Sequence, residues 1–281
     1  MLNNLNSFFR GIFSIERFLI FLSVVLFCFF LEIVVIGWKY SSLRKLVSFE
    51  SDSLKNDFFS YIFKLTNFIQ LLAVFFSFGL SLVIPEYLGV AKVNLLEIYI
   101  PNIFLQNVVF ILILDFILYW THRGLHFFAP LWELHKFHHS ATEMTVMTTA
   151  RLHPMEIAIN SILFSIPIFL IGVPLESYVF FFILTSWLGH IQHSNIPWTF
   201  GFIGEWIFIS PITHKIHHSI NEKHFNKNFG TITPLWDRIF CTWEKSSTNE
   251  NIEIGLDENI FNEKNVLRNY FGCIRNLFKN I

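Results

Sequence analysis

The chain has 281 residues, of which 53% are hydrophobic, 36 are phenylalanine and only 15% are charged, against about 25% charged in an ordinary soluble domain. That is the composition of an integral membrane protein; the net charge of −1 says nothing about nucleic acid, and no basic tract points to nucleic acid as a partner. Cys28, Cys241 and Cys273 are odd in number and unpatterned, which excludes a disulfide framework and a thiolate metal site.

Three apolar stretches come first: Phe18–Trp38, Leu65–Ile84, and a third from Ile98 or Ile103 to Trp120. Each approaches the roughly 20 residues a spanning helix needs. No small-residue cleavage pattern follows the first, so it reads as an anchor and not as a removable signal. Glu32 interrupts it and is expected to face protein, because a carboxylate in hydrocarbon is costly. The segment after the first stretch carries Lys39, Arg44, Lys45, Lys55 and Lys64, whereas the next carries only Lys92. The positive-inside tendency makes the former cytoplasmic and sends the third span out into the cytoplasm, with Arg10 and Arg17 arguing mildly the other way.

At that exit the histidines begin. Eleven of the 12 fall between His122 and His218, ten of them in four clusters: His122 with His126; His135 with His138 and His139; His190 with His193; and His214 with His217 and His218. Residues three or four apart share a helical face, so each cluster aims two or three imidazoles at one place. Packing gains nothing from ten imidazoles that leucine would not supply better, whereas neutral imidazole is the commonest metal ligand. Ten are too many for one ion and about right for two. Asp115, two helical turns before His122 on the same face, is expected to accept a hydrogen bond from the non-ligating nitrogen of a ligand histidine.

Two further apolar stretches, Met155–Val173 and Glu176–Ile191, flank a tight Gly172–Pro174 link. They predict a helical hairpin, short for a full crossing, that returns His190 and His193 to the side where His122–His139 emerge. His224 lies in a loop and is expected to face solvent. Ser246–Glu263 is polar and loop-like. Val266–Ile281 places Leu267, Tyr270, Phe271, Ile274, Leu277, Phe278 and Ile281 on one stripe, with Arg268, Arg275 and Lys279 off it. Such a helix either lies in the membrane interface or packs on the catalytic domain.

The residues around the clusters carry a resemblance. Asp115-Phe-Ile-Leu-Tyr-Trp-Thr-His122-Arg-Gly-Leu-His126, Leu131-Trp-Glu-Leu-His135-Lys-Phe-His138-His139-Ser140 and Arg151-Leu-His153-Pro154-Met-Glu156 come first. Ile191-Gln-His193-Ser-Asn195, His214-Lys-Ile-His217-His218-Ser219, Asn226-Lys-Asn228-Phe-Gly230 and Leu235-Trp236-Asp237-Arg238-Ile-Phe240 follow. In this order, over about residues 100–245, they resemble the signatures of the fatty acid hydroxylase superfamily, which includes sterol desaturases and alkylglycerol monooxygenase.

The resemblance implies a membrane-bound di-iron oxygenase acting on a lipid, with dioxygen as co-substrate. Its ligands would be His122, His126, His135, His138, His139, His193, His214, His217 and His218, with His190 as a tenth, and His153 would serve beside the ligands or in the fold. Glu133 and Glu156 are candidate hydrogen-bond partners, and Trp236, Asp237 and Arg238 a folding element. Imidazole suits iron, zinc, copper and nickel alike, so two Fe ions follow from the resemblance, and zinc can occupy the site in purified protein. With no dinucleotide fingerprint or iron–sulfur ligand set, electrons are expected from a separate reductase or ferredoxin. No catalytic side chain is expected outside the metal centre.

The expected fold is all-α: an integral, multi-pass membrane helical bundle with a cytoplasmic histidine-rich di-metal domain. Its parts are N-terminal spans over 1–121, a catalytic domain over 122–245 containing the 155–192 hairpin, and a cytoplasmic tail over 246–281. The rival functions are a non-catalytic metal transporter or sensor and a two-zinc lipid hydrolase.

Overall fold

The computed structural model of the chain describes residues 15–77, 79–80, 83–84, 95–171, 175–245, 252–256 and 265–279, and among these every regular element is a helix. The first, α1 (Ile15–Ile36), and α6 (Ile103–Phe127) are long and apolar enough to cross a membrane. Asn102 starts α6 by accepting a hydrogen bond from the Leu105 amide, which satisfies one of the free donors of the first turn. Between them lie α2 (Ser42–Ser48), α3 (Asp52–Leu65), α4 (Phe68–Phe76) and α5 (Leu95–Tyr99).

The second expected span is not one straight helix. Helices α3 and α4 meet at 87° across Thr66 and Asn67, and only as a bent pair do they qualify as a third crossing. Asn67 takes a left-handed backbone (φ 54°), which ends α3 and redirects the chain. Helix α3 is too polar for lipid on its inner face, where it buries Ser53, Asn56, Asp57 and Ser60.

That polar face ties the first loop to the histidine-bearing half. Arg151 is fully buried and pairs with Asp57 at 3.2 Å, while its Nε donates to the Phe137 carbonyl and its Nη1 to the Ser53 carbonyl. Asp57 also accepts hydrogen bonds from Thr145 and Thr148, so α3 clamps the segment that follows the second histidine cluster. Glu32 faces protein as expected: it accepts from the Ser42 hydroxyl at 2.9 Å and the Asn195 amide at 2.6 Å. The basic loop after α1 therefore sits on the same side as the histidines.

Helix α7 (Ala129–His139) follows α6 after a single residue, and two helices, Pro154–Ile171 (α8) and Leu175–Gln192 (α9), occupy the stretch where the hairpin arms are expected. Each arm has 18 residues, a rise of about 27 Å against a hydrocarbon core of about 30 Å. The Gly172–Pro174 link lies outside the described residues. Short helices α10 (Phe202–Trp206), α11 (Pro211–His217) and α12 (Leu235–Ile239) complete the histidine-bearing half.

The tail helix, α13 (Val266–Lys279), takes the packing alternative. Val266, Tyr270 and Cys273 are buried with Ile69, Leu134 and Phe137 of α4 and α7, and the Tyr270 ring stands edge-on to Phe137 at 5.2 Å. Ile281 and most of the polar segment before the helix lie outside the described residues.

The Asp57–Arg151 pair supplies a stability test. Removing one partner of a buried ion pair costs about 3–5 kcal/mol, because the other charge stays buried opposite nothing. Asp57→Ala should therefore lower the thermal unfolding midpoint of the purified protein by several degrees. An unchanged midpoint would contradict this reading of the clamp.

Candidate metal centre

Each histidine's position follows from helical geometry. Helix α6 ends with His122 and His126 one turn apart; α7 carries His135, His138 and His139 in its last turns. Helix α9 delivers His193 just past its end, and α11 carries His214 and His217, with His218 as its C-cap. Ser210 caps the start of α11 by accepting from the Thr213 amide, and Pro211 presets its first turn.

The structure brings nine of the ten expected ligands into two groups, within each of which one ring nitrogen per residue lies within 4.8 Å of the others: His122, His126, His135, His139 and His217; and His138, His193, His214 and His218. The two H-x-x-H-H strings are used in exchanged fashion. In α7 the outer pair, His135 and His139, joins the first group, and His138 joins the second. In α11 the outer pair, His214 and His218, joins the second group, and His217 the first. Residues i and i+4 share a face while i+3 lies about 60° round the helix, so one string serves two adjacent points. The groups touch: the His139 and His218 rings stack at 4.3 Å.

The hydrogen bonds fix which nitrogen each ring presents. Nδ1 donates to the Phe229 carbonyl in His122 (2.9 Å), to the Lys227 carbonyl in His217 (2.8 Å) and to the Gly189 carbonyl in His193 (2.6 Å). In His135 it meets the Glu156 carboxylate at 3.2 Å. A neutral imidazole has one N–H, so all four keep a bare lone pair on Nε2. The Nε2 atoms converge: His122 and His135 meet Nε2 to Nε2 at 3.1 Å, His193 and His138 at 3.4 Å, and His214 and His193 at 3.0 Å.

The Nε2 atoms of His126, His139 and His217 are buried with no protein partner. Facing acceptors repel unless a cation stands between them. Nitrogens bound about 2.0–2.1 Å from one ion at angles of 90–109° lie about 2.8–3.4 Å apart, a range that includes the spacings found. The residues fit metal in both groups.

Burial keeps uncharged the rings of His217, His193, His138, His139, His214 and His218. Desolvation is the main cause and outweighs the Lys227 carbonyl in lowering His217 to about 3, and the Gly189 carbonyl in lowering His193 to about 4. Burial, reinforced by neighbouring imidazoles, likewise holds His138, His139, His214 and His218 well below the ordinary histidine value. Neutral rings are the form that binds metal.

Three expectations are corrected, for His190, Asp115 and His224, and His153 takes its structural alternative. His190 joins neither group; it is fully buried, its Nδ1 donates to the Ser186 carbonyl at 2.6 Å, and its Nε2 faces the Tyr61 hydroxyl at 3.3 Å. Asp115 meets no imidazole. Seven residues of helix put it about 10 Å from His122, and its carboxylate instead accepts from the Ile232 and Thr233 amides and the Trp236 indole. His153 serves the fold: Nε2 donates to the Tyr270 carbonyl and Nδ1 accepts from the Met155 amide, which pins α13. His224 is buried and does not face solvent.

Sequence reasoning missed the parts that aim the rings. The loop from Asn226 to Gly230 presents the Lys227 and Phe229 carbonyls to His217 and His122, with Asn226 and Asn228 in the left-handed region (φ 58° and 56°). Asn228 is locked by its amide, which donates to the Thr213 and Glu244 carbonyls. Asp237 accepts from the Phe229 and Gly230 amides, which fixes the peptide that serves His122. The Asn-x-Asn spacing is the one signal that marks this loop, since asparagine tolerates that backbone best after glycine.

A cavity of about 410 Å³ opens onto the first group, between His126, His139 and His217 on one side and Trp132, Phe225 and Leu256 on the other, with Lys136, Ser219 and Asn226 among its polar lining.

Residues 107–242 match the fatty acid hydroxylase family. The chain is 30% identical over 151 residues to an ornithine lipid hydroxylase of Rhizobium tropici, covering 54% of this chain and 45% of that protein. It is 30% identical over 151 residues to an alkylglycerol monooxygenase of Caenorhabditis elegans (53% of this chain, 29% of that protein), and 31% identical over 143 residues to a Delta(7)-sterol 5(6)-desaturase of Aspergillus fumigatus (50% and 38%). The chain thus spans less than half the length of these curated relatives. No solved structure matches it significantly.

Glu156 should tune the first group. Losing the acceptor behind a ligand histidine typically weakens metal binding or activity about 10- to 100-fold. Glu156→Gln should give folded protein that loses metal to a competing chelator that much more readily, while Glu133→Gln, whose carboxylate pairs with Lys136, should not. Equal retention in both variants would show that Glu156 does not support His135.

Proposed function

We propose that this chain, whose residues 107–242 match the fatty acid hydroxylase family, is a membrane-bound di-iron oxidoreductase of that kind that uses dioxygen to hydroxylate or desaturate an unactivated C–H bond of a lipid. The observation that carries the reading is the pair of converging imidazole groups, one of them lining a cavity of about 410 Å³. Bound there, two irons would supply dioxygen reduction and removal of hydrogen from an unreactive carbon, with electrons from a separate reductase or ferredoxin.

The protein's own part is holding, aiming and drying. His122, His126, His135, His139 and His217 would hold one ion, and His138, His193, His214 and His218 the other. The Phe229, Lys227 and Gly189 carbonyls and the Glu156 carboxylate fix the tautomer of four of these rings, so that Nε2 is bare before metal arrives. Trp132, Phe225 and Leu256 supply apolar walls against which an alkyl segment can lie beside His126, His139 and His217. Burial of the second group keeps bulk water from the ion on that side. We take 122–245 as the catalytic unit, with the 155–192 hairpin inside it.

The domain is proposed to face the cytoplasm. The loop carrying Lys39, Arg44, Lys45 and Lys55 packs against the histidine-bearing segment through Asp57 and Arg151, so both share one side, and the positive-inside tendency makes that side cytoplasmic.

Metal analysis of protein purified without chelator should return about two ions per chain, and iron-loaded protein should consume dioxygen only when reductant and lipid are supplied. His138→Ala and His217→Ala should lose metal and turnover together, and His224→Ala should lose neither. A reproducible ratio of one ion, or consumption indifferent to reductant, would exclude the di-iron reading. For orientation, single cysteines at Lys245 and Tyr99, both exposed, can be placed in a Cys241→Ser background. A membrane-impermeant maleimide applied to intact cells should label position 99 and spare 245; the reverse pattern would invert the topology.

A further inference from the structure

Helix α12 is packed on the long apolar helix α6. It runs beside the second half of α6: Trp236 donates to Asp115, midway along that helix, and packs on Phe116 at 4.9 Å, while Phe240 packs on Trp120 at 4.9 Å. From Ile103 to Trp120 helix α6 rises about 26 Å, close to the roughly 30 Å of a hydrocarbon core. Trp120 thus marks the level at which α6 leaves the bilayer, and α12 lies at and just below that level.

Helix α10 is joined to the same surface. Arg238 donates to the Glu205 carbonyl at 2.8 Å, and its guanidinium lies 3.8 Å over the Trp206 ring and 4.6 Å over Trp243. The outward face of this patch is apolar: Phe202 is 73% exposed, Ile203 50%, Trp206 52% and Ile239 54%. Its charges are neutralised locally, since Glu205 pairs with Lys245 at 2.8 Å and Arg238 is covered by indoles. Four of the chain's eight tryptophans (Trp120, Trp206, Trp236 and Trp243) gather here, and tryptophan concentrates at the boundary between acyl chains and headgroups. An apolar patch of this kind, continuous with a spanning helix, marks contact with lipid or protein.

We propose that α10, α12 and the exit half of α6 form one lipid-facing surface that seats the histidine-bearing domain in the membrane interface, with Phe202, Ile203, Trp206 and Ile239 among the acyl chains. Continuity with α6 at the depth of Trp120 selects lipid as the occupant. A consequence is that the loop from Asn226 to Gly230, which aims His122 and His217, is anchored to the bilayer through Trp236 and Asp237.

The test uses the full chain in phosphatidylcholine nanodiscs. Nitroxide labels are placed at Ile203→Cys, Ile239→Cys and, as an aqueous control, Lys223→Cys, in a Cys241→Ser background where Cys28 and Cys273 are buried. Collision with oxygen, which partitions into acyl chains, should exceed collision with a water-soluble nickel chelate severalfold at 203 and 239, with the order reversed at 223. Labels at 203 and 239 that behave like 223 would overturn the proposal. So would labels shielded from both agents or broadened by each other, which would mean a contact with protein or with a second copy. Should the cysteine variants fail to fold, tryptophan quenching by phospholipids brominated along their acyl chains decides: quenching should fall measurably in Trp206→Phe, and an unchanged value would overturn the proposal.

Discussion

Everything in the histidine-bearing half depends on one electrostatic constraint: bare imidazole lone pairs held face to face. His122 and His135 point unprotonated nitrogens at each other across 3.1 Å because each has given its single proton to an acceptor behind it. Without a cation between them the arrangement is repulsive; with one it becomes a coordination shell. A fold that buries this many facing acceptors must hold them rigidly, since left to themselves the rings would turn away. The supporting structure is organised around that task. Its hydrogen-bond acceptors are almost all backbone carbonyls, which cannot swing, and the one carboxylate, Glu156, is itself buried.

The support is layered from the membrane outward. Asp115, buried in α6, holds the turn from Ile232 to Trp236; that turn leads into α12, where Asp237 holds the Phe229 and Gly230 amides; Phe229 then aims His122. Thus Asp115 does reach His122, but through a loop and not by contact. On the other flank, Arg151 spans from Asp57 of α3 to the Phe137 carbonyl in the last turn of α7, next to His138 and His139. Residues outside the family-matched segment, Asp57 and Glu32 among them, thereby share in fixing the ligands. The N-terminal half is part of the site's rigidity as well as an anchor.

How much of this was legible in the sequence depended on whether a local period or a distant partner decided the matter. The nine converging histidines were legible because helical spacing alone puts i and i+4 on one face. His190 shares its face with His193, yet it sits a turn earlier on α9, where Tyr61 of another helix receives it; no local pattern encodes that encounter. The same holds for Asp115, whose face was read correctly and whose partner was not, because a carboxylate two turns away meets whatever loop lies across the helix. The span at Leu65–Ile84 looked continuous in hydropathy, but Asn67 in a left-handed conformation breaks it. For Val266–Lys279 an apolar stripe looks identical whether it covers lipid or helix α7, and only the Phe137–Tyr270 contact distinguishes them.

The least legible feature is also the one that joins membrane and metal. The proposed oxidative chemistry on a lipid would need a site dry enough to protect reactive species and close enough to the bilayer for an apolar chain to arrive. Placing His122 and His126 in the last turns of a spanning helix meets both needs, because α6 carries two ligands from its lipid-bound half directly to the cavity beside His126, His139 and His217. The cavity then requires walls that α6 cannot provide. They come from Trp132 on the helix that turns sharply away after Phe128, and from the loop holding Phe225 and Asn226, whose left-handed asparagines also aim the ligand carbonyls. One loop therefore sets both the orientation of the imidazoles and the shape of the space before them, so substitutions there that change which lipid fits should also change how firmly metal is held.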